Sequence, residues 1–333
     1  MIPREELQRW LGDPGAQHAT TRNVEEVTQR FKALRLFNDL RDDLDALPWR
    51  TASSILACAR AAMADSQGLQ DVFTCLVEAA SADPFFRPAL RNVGTEIHSG
   101  ILLFESSDLT IFAAVMPVES LAAKRLGRDG ARSIAFTGQH SIHRFVRSGD
   151  ATLSLWEAPL IADGFSAGDG GRCRLVERRR IADGDVLALD GRRQTFVIDH
   201  ASGDLVYLQA VTTVGRAPLT VEYDSDTLEF VGASSTDEVS SRTQMMMALL
   251  RTLDRQDAVP VIVDMLGNPN FYARWQAMRE LLALDADAAL APLQAMAADD
   301  PHPEVRTAAA ATLSACFPEA NAARDRALVP EEI

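Results

Sequence analysis

The sequence predicts an α+β chain of several parts: a helical N-terminal segment over 1–92, a β sandwich over 93–236, an array of paired helices over 237–320 and a tail over 321–333. Three observations predict it. Apolar residues recur at three- and four-residue steps in the first part. Short apolar runs divided by Gly, Asp and Ser turns fill the second. A repeat with a 32-residue period runs through the third.

In the first part, Val27, Phe31, Leu34, Phe37, Leu40 and Leu44 draw one apolar stripe. Thr21 and Asn23 precede it and Glu25 and Glu26 open it, which is the pattern of a helix start, and Pro48 stops it. Further helices are expected over 51–64 and 69–80, the second with Val72, Phe73, Leu76 and Val77 facing inward, before Asp83-Pro84 breaks the pattern.

The runs 97–104, 109–115, 133–137, 143–147, 151–157, 174–178, 185–189, 194–199, 205–213, 218–223 and 228–232 read as strands. No helix is expected among them, so they point to a sandwich or barrel and not to a parallel sheet. Ser148-Gly149-Asp150 and Asp190-Gly191 read as hairpin turns. The basic cluster Arg172 to Arg180 reads as a solvated strand face.

In the third part Arg242, Arg274 and Arg306 stand 32 residues apart, as do Leu249, Leu281 and Leu313. Pro269 and Pro301 share the spacing, and so do Pro260 and Pro292. Such a period means helix pairs that bury their apolar faces only by stacking. The stretch Asp300-Pro301-His302-Pro303-Glu304-Val305-Arg306-Thr307-Ala308-Ala309-Ala310-Ala311 resembles a HEAT repeat, with its Asp-Pro, Val-Arg and Ala-Ala steps. Tyr272-Ala273-Arg274-Trp275 departs from the Val-Arg step. The resemblance implies a curved stack of helix pairs used for protein contacts, and no catalytic residues.

The strand density and Gly184-Asp185-Val186-Leu187-Ala188-Leu189-Asp190-Gly191 resemble the second half of a cupin-type jelly roll. That family's motifs imply metal-ligating histidines. Here the expected positions hold Gln194 and Thr195 in one motif and Ala122 and Lys124 in the other. What remains is His140, His143 and His200 as possible ligands, with His140 and His143 on opposite faces of a strand unless a bulge intervenes.

Composition narrows the function classes. A net charge of −14 argues against nucleic acid as a partner and suits a basic protein or peptide. No run is long and apolar enough to span a bilayer, and the first residues lack a signal-peptide pattern, so the cytoplasm is the expected location and no membrane is expected. Cys58, Cys75, Cys173 and Cys316 form no CxxC pair and read as small hydrophobes.

The expected function is therefore non-enzymatic: a protein- or peptide-binding or scaffold protein, with no cofactor. Trp156, Met245, Arg274, Trp275 and Arg306 are its candidate contact residues. One alternative is a cupin-type oxygenase or isomerase holding one divalent metal (Fe, Mn, Ni or Zn) on His140, His143 and His200. A second is a small-ligand sensor.

Overall fold

The computed structural model describes residues 4–95, 97–126, 133–162 and 164–318; the predicted tail over 321–333 lies outside the described residues. Two compact units emerge. One comprises Met1–Leu160, Arg172–Arg216 and Glu222–Glu229, the other Ile161–Gly171, Ala217–Val221 and Phe230–Ile333.

The first unit begins with α1 (Arg4–Leu11), α2 (Pro14–Lys32), α3 (Arg35–Asp45), α4 (Ala52–Ala64) and α5 (Ser66–Ala82). Asp13 caps α2 by accepting the backbone N–H groups of Gly15 and Ala16, an earlier start than Thr21 and Asn23 suggest. The apolar stripe from Val27 to Leu44 belongs to two helices, not one. The chain turns at Ala33 and Leu34, which brings the Phe31 and Phe37 rings to 5.0 Å. No Gly or Pro marks this break; burial of both rings in one core does. Thr51 and Ser54 close a reciprocal capping box on α4. On α5 the buried line is Gly68, Val72, Cys75 and Ala79, whereas Phe73 and Val77 face solvent, a correction to the expected inward face. Small side chains on the buried line let α5 lie close to α2.

Among the described residues twelve strands follow along the chain, β1 (Asn92–Gly94), β2 (Ser99–Glu105), β3 (Leu109–Met116), β4 (Ser133–Phe136), β5 (His140–Arg147), β6 (Thr152–Glu157), β7 (Arg174–Arg180), β8 (Val186–Asp190), β9 (Gln194–His200), β10 (Leu205–Thr212), β11 (Leu219–Asp224) and β12 (Phe230–Ser235), with β12 and the start of β11 in the second unit. A helix that the pattern did not predict, α6 (Val118–Leu126), separates β3 from β4.

An antiparallel six-stranded sheet runs β1-β2-β3-β10-β5-β8 and a three-stranded sheet runs β7-β6-β9. One face of the larger sheet packs Leu109, Ile111, Ile142, Leu208 and Ala210 against Phe37, Ile55, Ala59 and Met63 of the helices. Its other face packs Ala114, Met116, Phe145 and Tyr207 against Leu153 and Ile198 of the smaller sheet, giving a jelly-roll sandwich. Because both faces are covered, β3 reads Leu-Thr-Ile-Phe-Ala-Ala-Val-Met with little polar alternation.

Ser148-Gly149-Asp150 and Asp190-Gly191 are turns, but not of hairpins. They carry the chain from β5 to β6 and from β8 to β9, each time from one sheet to the other. Gly149 has φ near +57°, and a Cβ there would stand 2.2 Å from the Gly203 carbonyl oxygen. Only glycine fits this corner.

Alternation on β5 decides where its polar side chains go. Even-numbered Ile142 and Arg144 face the helices, and Arg144 donates to the Met63 carbonyl of α4. Odd-numbered His143 and Phe145 face the sandwich interior. The His143 ring lies edge-on to Phe196 at 4.9 Å and beside Tyr207 at 6.1 Å. Burial pushes the His143 imidazole down to about 4, with a hydrogen bond to the Gln209 side chain working in the opposite direction. The ring is therefore neutral at pH 7, and its Nδ1 finds no partner on the chain. Burial likewise pushes the Tyr207 phenol up to about 12.

The second unit contains α7 (Glu238–Thr252), α8 (Val259–Met265), α9 (Phe271–Leu284), α10 (Ala286–Asp299) and α11 (Pro303–Cys316). The 32-residue period has a local cause. Asn268 accepts the N–H of Asn270 and Asp300 accepts that of His302, so both loops make the same Asx turn before a second helix. Six residues after each turn begins, an arginine reaches back. Arg274 Nη1 donates to the carbonyls of Asn268 and Pro269, and Arg306 Nη1 to those of Asp300 and Pro301. Arg274 also forms a bidentate pair with Asp300 at 2.8 and 2.7 Å, buried from water. Pro269 and Pro301 thus lie in the loops, while Pro292 sits inside α10. Leu281 and Leu313 are buried in the array core, but Leu249, at the same column one period earlier, is 47% exposed.

Three outcomes follow for stability. Asp300→Ala leaves the buried Arg274 guanidinium unpaired and lowers unfolding free energy by about 3 kcal/mol in urea titration, whereas exposed Asp299→Ala changes it by less than about 0.5 kcal/mol. Gly149→Ala meets a carbonyl at a left-handed corner and costs about 2–3 kcal/mol in the same assay. For His143, the unfolded ring binds a proton near the ordinary value of 6.5 and the folded ring only near 4. Its contribution to stability is present above 6.5 and is lost as pH falls toward 4. Between pH 7 and pH 5 the wild-type protein loses about 2 kcal/mol more than His143→Leu does.

Candidate functional site

Of the residues singled out by sequence, the histidines are not brought together. His140 lies on the helix-facing side of β5, with Nδ1 3.6 Å from Asp190. Burial lowers its affinity for a proton, and Asp190 works against that shift. His143 is on the opposite face, inside the sandwich, and His200 is exposed at the end of β9, paired with Thr152. No bulge on β5 between His140 and His143 rescues convergence, since their pairing to β8 is regular. Among the described residues no group of three His, Cys, Asp or Glu side chains is placed to hold a metal ion. The divalent metal implied by the jelly-roll resemblance does not fit what surrounds His143, which is Phe145, Phe196, Tyr207 and Gln209.

Trp156 is half-buried on β6 opposite Thr195, and its indole N–H is enclosed without an acceptor. A bulge against β7 falls immediately before it. In the array, Arg274 is buried, with its guanidinium on Asp300 and on the loop carbonyls of Asn268 and Pro269. Trp275 packs on the array core, and Arg306 is half-buried with its Nη1 on loop carbonyls. Met245 is 71% exposed and free to make contacts.

The two Asx loops build what none of these residues announced. Between them lies an open groove of about 830 Å³ lined by Phe271, Tyr272, Asn270, Pro301, His302 and Asp299, among others. Phe271 and His302 stack face to face at 3.8 Å and 7°. Tyr272 stands edge-on to Phe271, and its hydroxyl is 3.1 Å from Ser235 Oγ. Desolvation alone would raise the Asp300 carboxyl; hydrogen bonds from Arg274 and the His302 N–H outweigh it and hold the group below its usual range. The groove floor is therefore ionised and already neutralised by Arg274, while Asp299 stays exposed at its edge. The signal was present in sequence: Asn268-Pro269-Asn270-Phe271 aligns with Asp300-Pro301-His302-Pro303, and the groove is where those loops neighbour each other.

Aromatic faces, loop backbone and one open carboxylate make up the surface of the groove. No helix among the described residues is long and apolar enough to cross a membrane.

Comparison with known proteins supports the array most directly. No curated protein matches the chain. Among solved structures, the chain is similar to KdgF from Halomonas sp. (13% identity, 36% of this chain and 84% of that one, TM-score 0.22). It is also similar to a cupin domain from Bordetella pertussis (10%, 37% and 99%, TM-score 0.22). A third likeness is to a sugar phosphate isomerase of a cupin superfamily from Silicibacter pomeroyi (12%, 45% and 90%, TM-score 0.24). Residues 232–314 match the family described as HEAT repeats, the stretch that carries the Arg274 and Arg306 loops.

Proposed function

We propose that this chain is a non-enzymatic protein- or peptide-binding protein that holds a partner segment in the groove between its two Asx loops. The observation that carries this reading is the groove itself: about 830 Å³, formed where successive repeats expose Phe271, Tyr272 and His302. Aromatic side chains concentrate binding energy because they bury large rigid area with little loss of rotamer freedom. Carboxylates outnumber guanidiniums along 230–318, and the exposed Asp299 at the rim favours a partner segment carrying Lys or Arg. A scaffold role accords with the HEAT match at 232–314, since helical arrays present extended surfaces.

The competing reading is a metal-dependent oxygenase or isomerase in the sandwich. It meets the separation of His140, His143 and His200 over two sheet faces and a strand end.

Two measurements test the proposal. Immobilised wild-type protein retains a partner that the folded double variant Tyr272→Ala/Asp299→Lys retains at least about tenfold more weakly; retention unchanged by the double variant sinks the groove as the binding site. Elemental analysis of purified protein finds less than stoichiometric iron, manganese, nickel or zinc. A stoichiometric metal that His143→Ala abolishes would falsify the non-enzymatic reading.

A further inference from the structure

The period that places α9 after α8 and α11 after α10 also says what should precede α7. Thirty-two residues before α10 lies the stretch containing α8, and one period earlier again lie residues 222–235. There the chain forms strand β12 (Phe230–Ser235) in place of a helix. The first pair of the array therefore has its second helix, α7, and no first helix.

The consequence is visible residue by residue. Columns that α9 buries completely are Ala277, Met278 and Leu281, and α11 buries Ala309 and Leu313 at two of the same columns. In α7 these columns hold Met245, Met246 and Leu249, which are 71%, 56% and 47% exposed. Val239 and Leu253, 70% and 59% exposed, extend the stripe toward both ends of the helix. From Val239 to Leu253 it runs about 20 Å, four turns of helix. The other side of α7 is accounted for, with Met247 and Leu250 packed into the array core. So α7 carries two apolar faces, and only one of them is covered.

We propose that the open face of α7 receives an amphipathic α-helix from a partner polypeptide, seated where the missing first helix of the pair would lie. The array states the chemistry such a helix needs. Its own first helices bury Ile262 on α8, with Ala258 capping that helix, and Ala289, Leu293 and Met296 on α10, at three- and four-residue steps. The docking helix carries the same kind of small-and-branched apolar line, and the helix pairs already built by α8 with α9 and α10 with α11 are the template for its interface. Methionines at two of the three central positions let the face adapt to partners whose apolar side chains differ in shape. This site is separate from the loop groove.

A direct probe is available in the protein's own sequence. A fluorescein-labelled peptide corresponding to residues 285–300, the α10 stretch, is titrated with the full chain and followed by anisotropy. Saturable binding is expected, reduced at least tenfold by Met245→Glu/Leu249→Glu, and unaffected by Val176→Glu on strand β7 or by Tyr272→Ala/Asp299→Lys in the groove. A peptide of the same composition with the apolar spacing scrambled is expected not to bind. If the Glu pair disturbs the circular dichroism spectrum, Met245→Gln/Leu249→Gln replaces it with the same expectation. Absence of binding, or binding indifferent to the α7 variants, overturns the proposal. So does a wild-type dimer in sedimentation that the α7 variants convert to monomer, since a second copy would then cover the face.

Discussion

A guanidinium taken out of water must find an acceptor for its N–H groups, and much of the array follows from how Arg274 does so. Two donors go to loop carbonyls of its own helix pair and two to Asp300 in the next. Asp300 in turn fixes the His302 N–H and lends its carbonyl to Arg306. Each loop is held from both sides, so neighbouring pairs cannot slide along one another without breaking a buried charged contact. The groove between the loops inherits that rigidity: Phe271 and His302 can stack at 3.8 Å because the turns that carry them are locked. One junction is built differently. Asn268 stands at the column of Asp300, so the loop before α9 offers an amide where the loop before α11 offers a carboxylate.

The first unit obeys another constraint. A six-stranded sheet with helices on one face and a second sheet on the other has no solvent-facing side for polar residues, so those it contains are placed individually. Arg144 escapes to a helix carbonyl, and Thr212 donates to the Asp108 carbonyl. His143 is the member of this set that remains partly unanswered, with Gln209 on one nitrogen and none on the other. That explains why the sandwich interior packs as a core around a single neutral imidazole.

Legibility from sequence tracked how local the cause was. The 32-residue repeat was visible because an Asx turn and an arginine six residues later are local devices reused in register. Most strands were visible for the same reason. Whether Arg274 faces solvent or a carboxylate 26 residues away is not a local matter, and its recurrence alone suggested a contact residue. Gly149 and Gly191 announced turns without saying that the chain changes sheets there, because a corner and a hairpin want the same flexible backbone. The break between α2 and α3 left no mark at all, being made by Phe31 and Phe37 seeking one core. Spacing did foresee that His140 and His143 oppose each other across β5; that His200 ends exposed on another sheet was decided by strand pairing.

The arginine-rich strand β7 has a role in what the molecule refuses. It is the outer strand of its sheet, and its side chains are exposed almost throughout. Arg174, Arg178 and Arg180 are tied back to Glu157, Asp199 and Asp150 on neighbouring segments of the same chain. A strand arriving from another molecule would have to sever those pairs and lay its own backbone beside a row of cations, which is how natural sheets discourage unwanted extension. Edge-to-edge growth, the common route from a sandwich to insoluble fibre, is thereby disfavoured at this border.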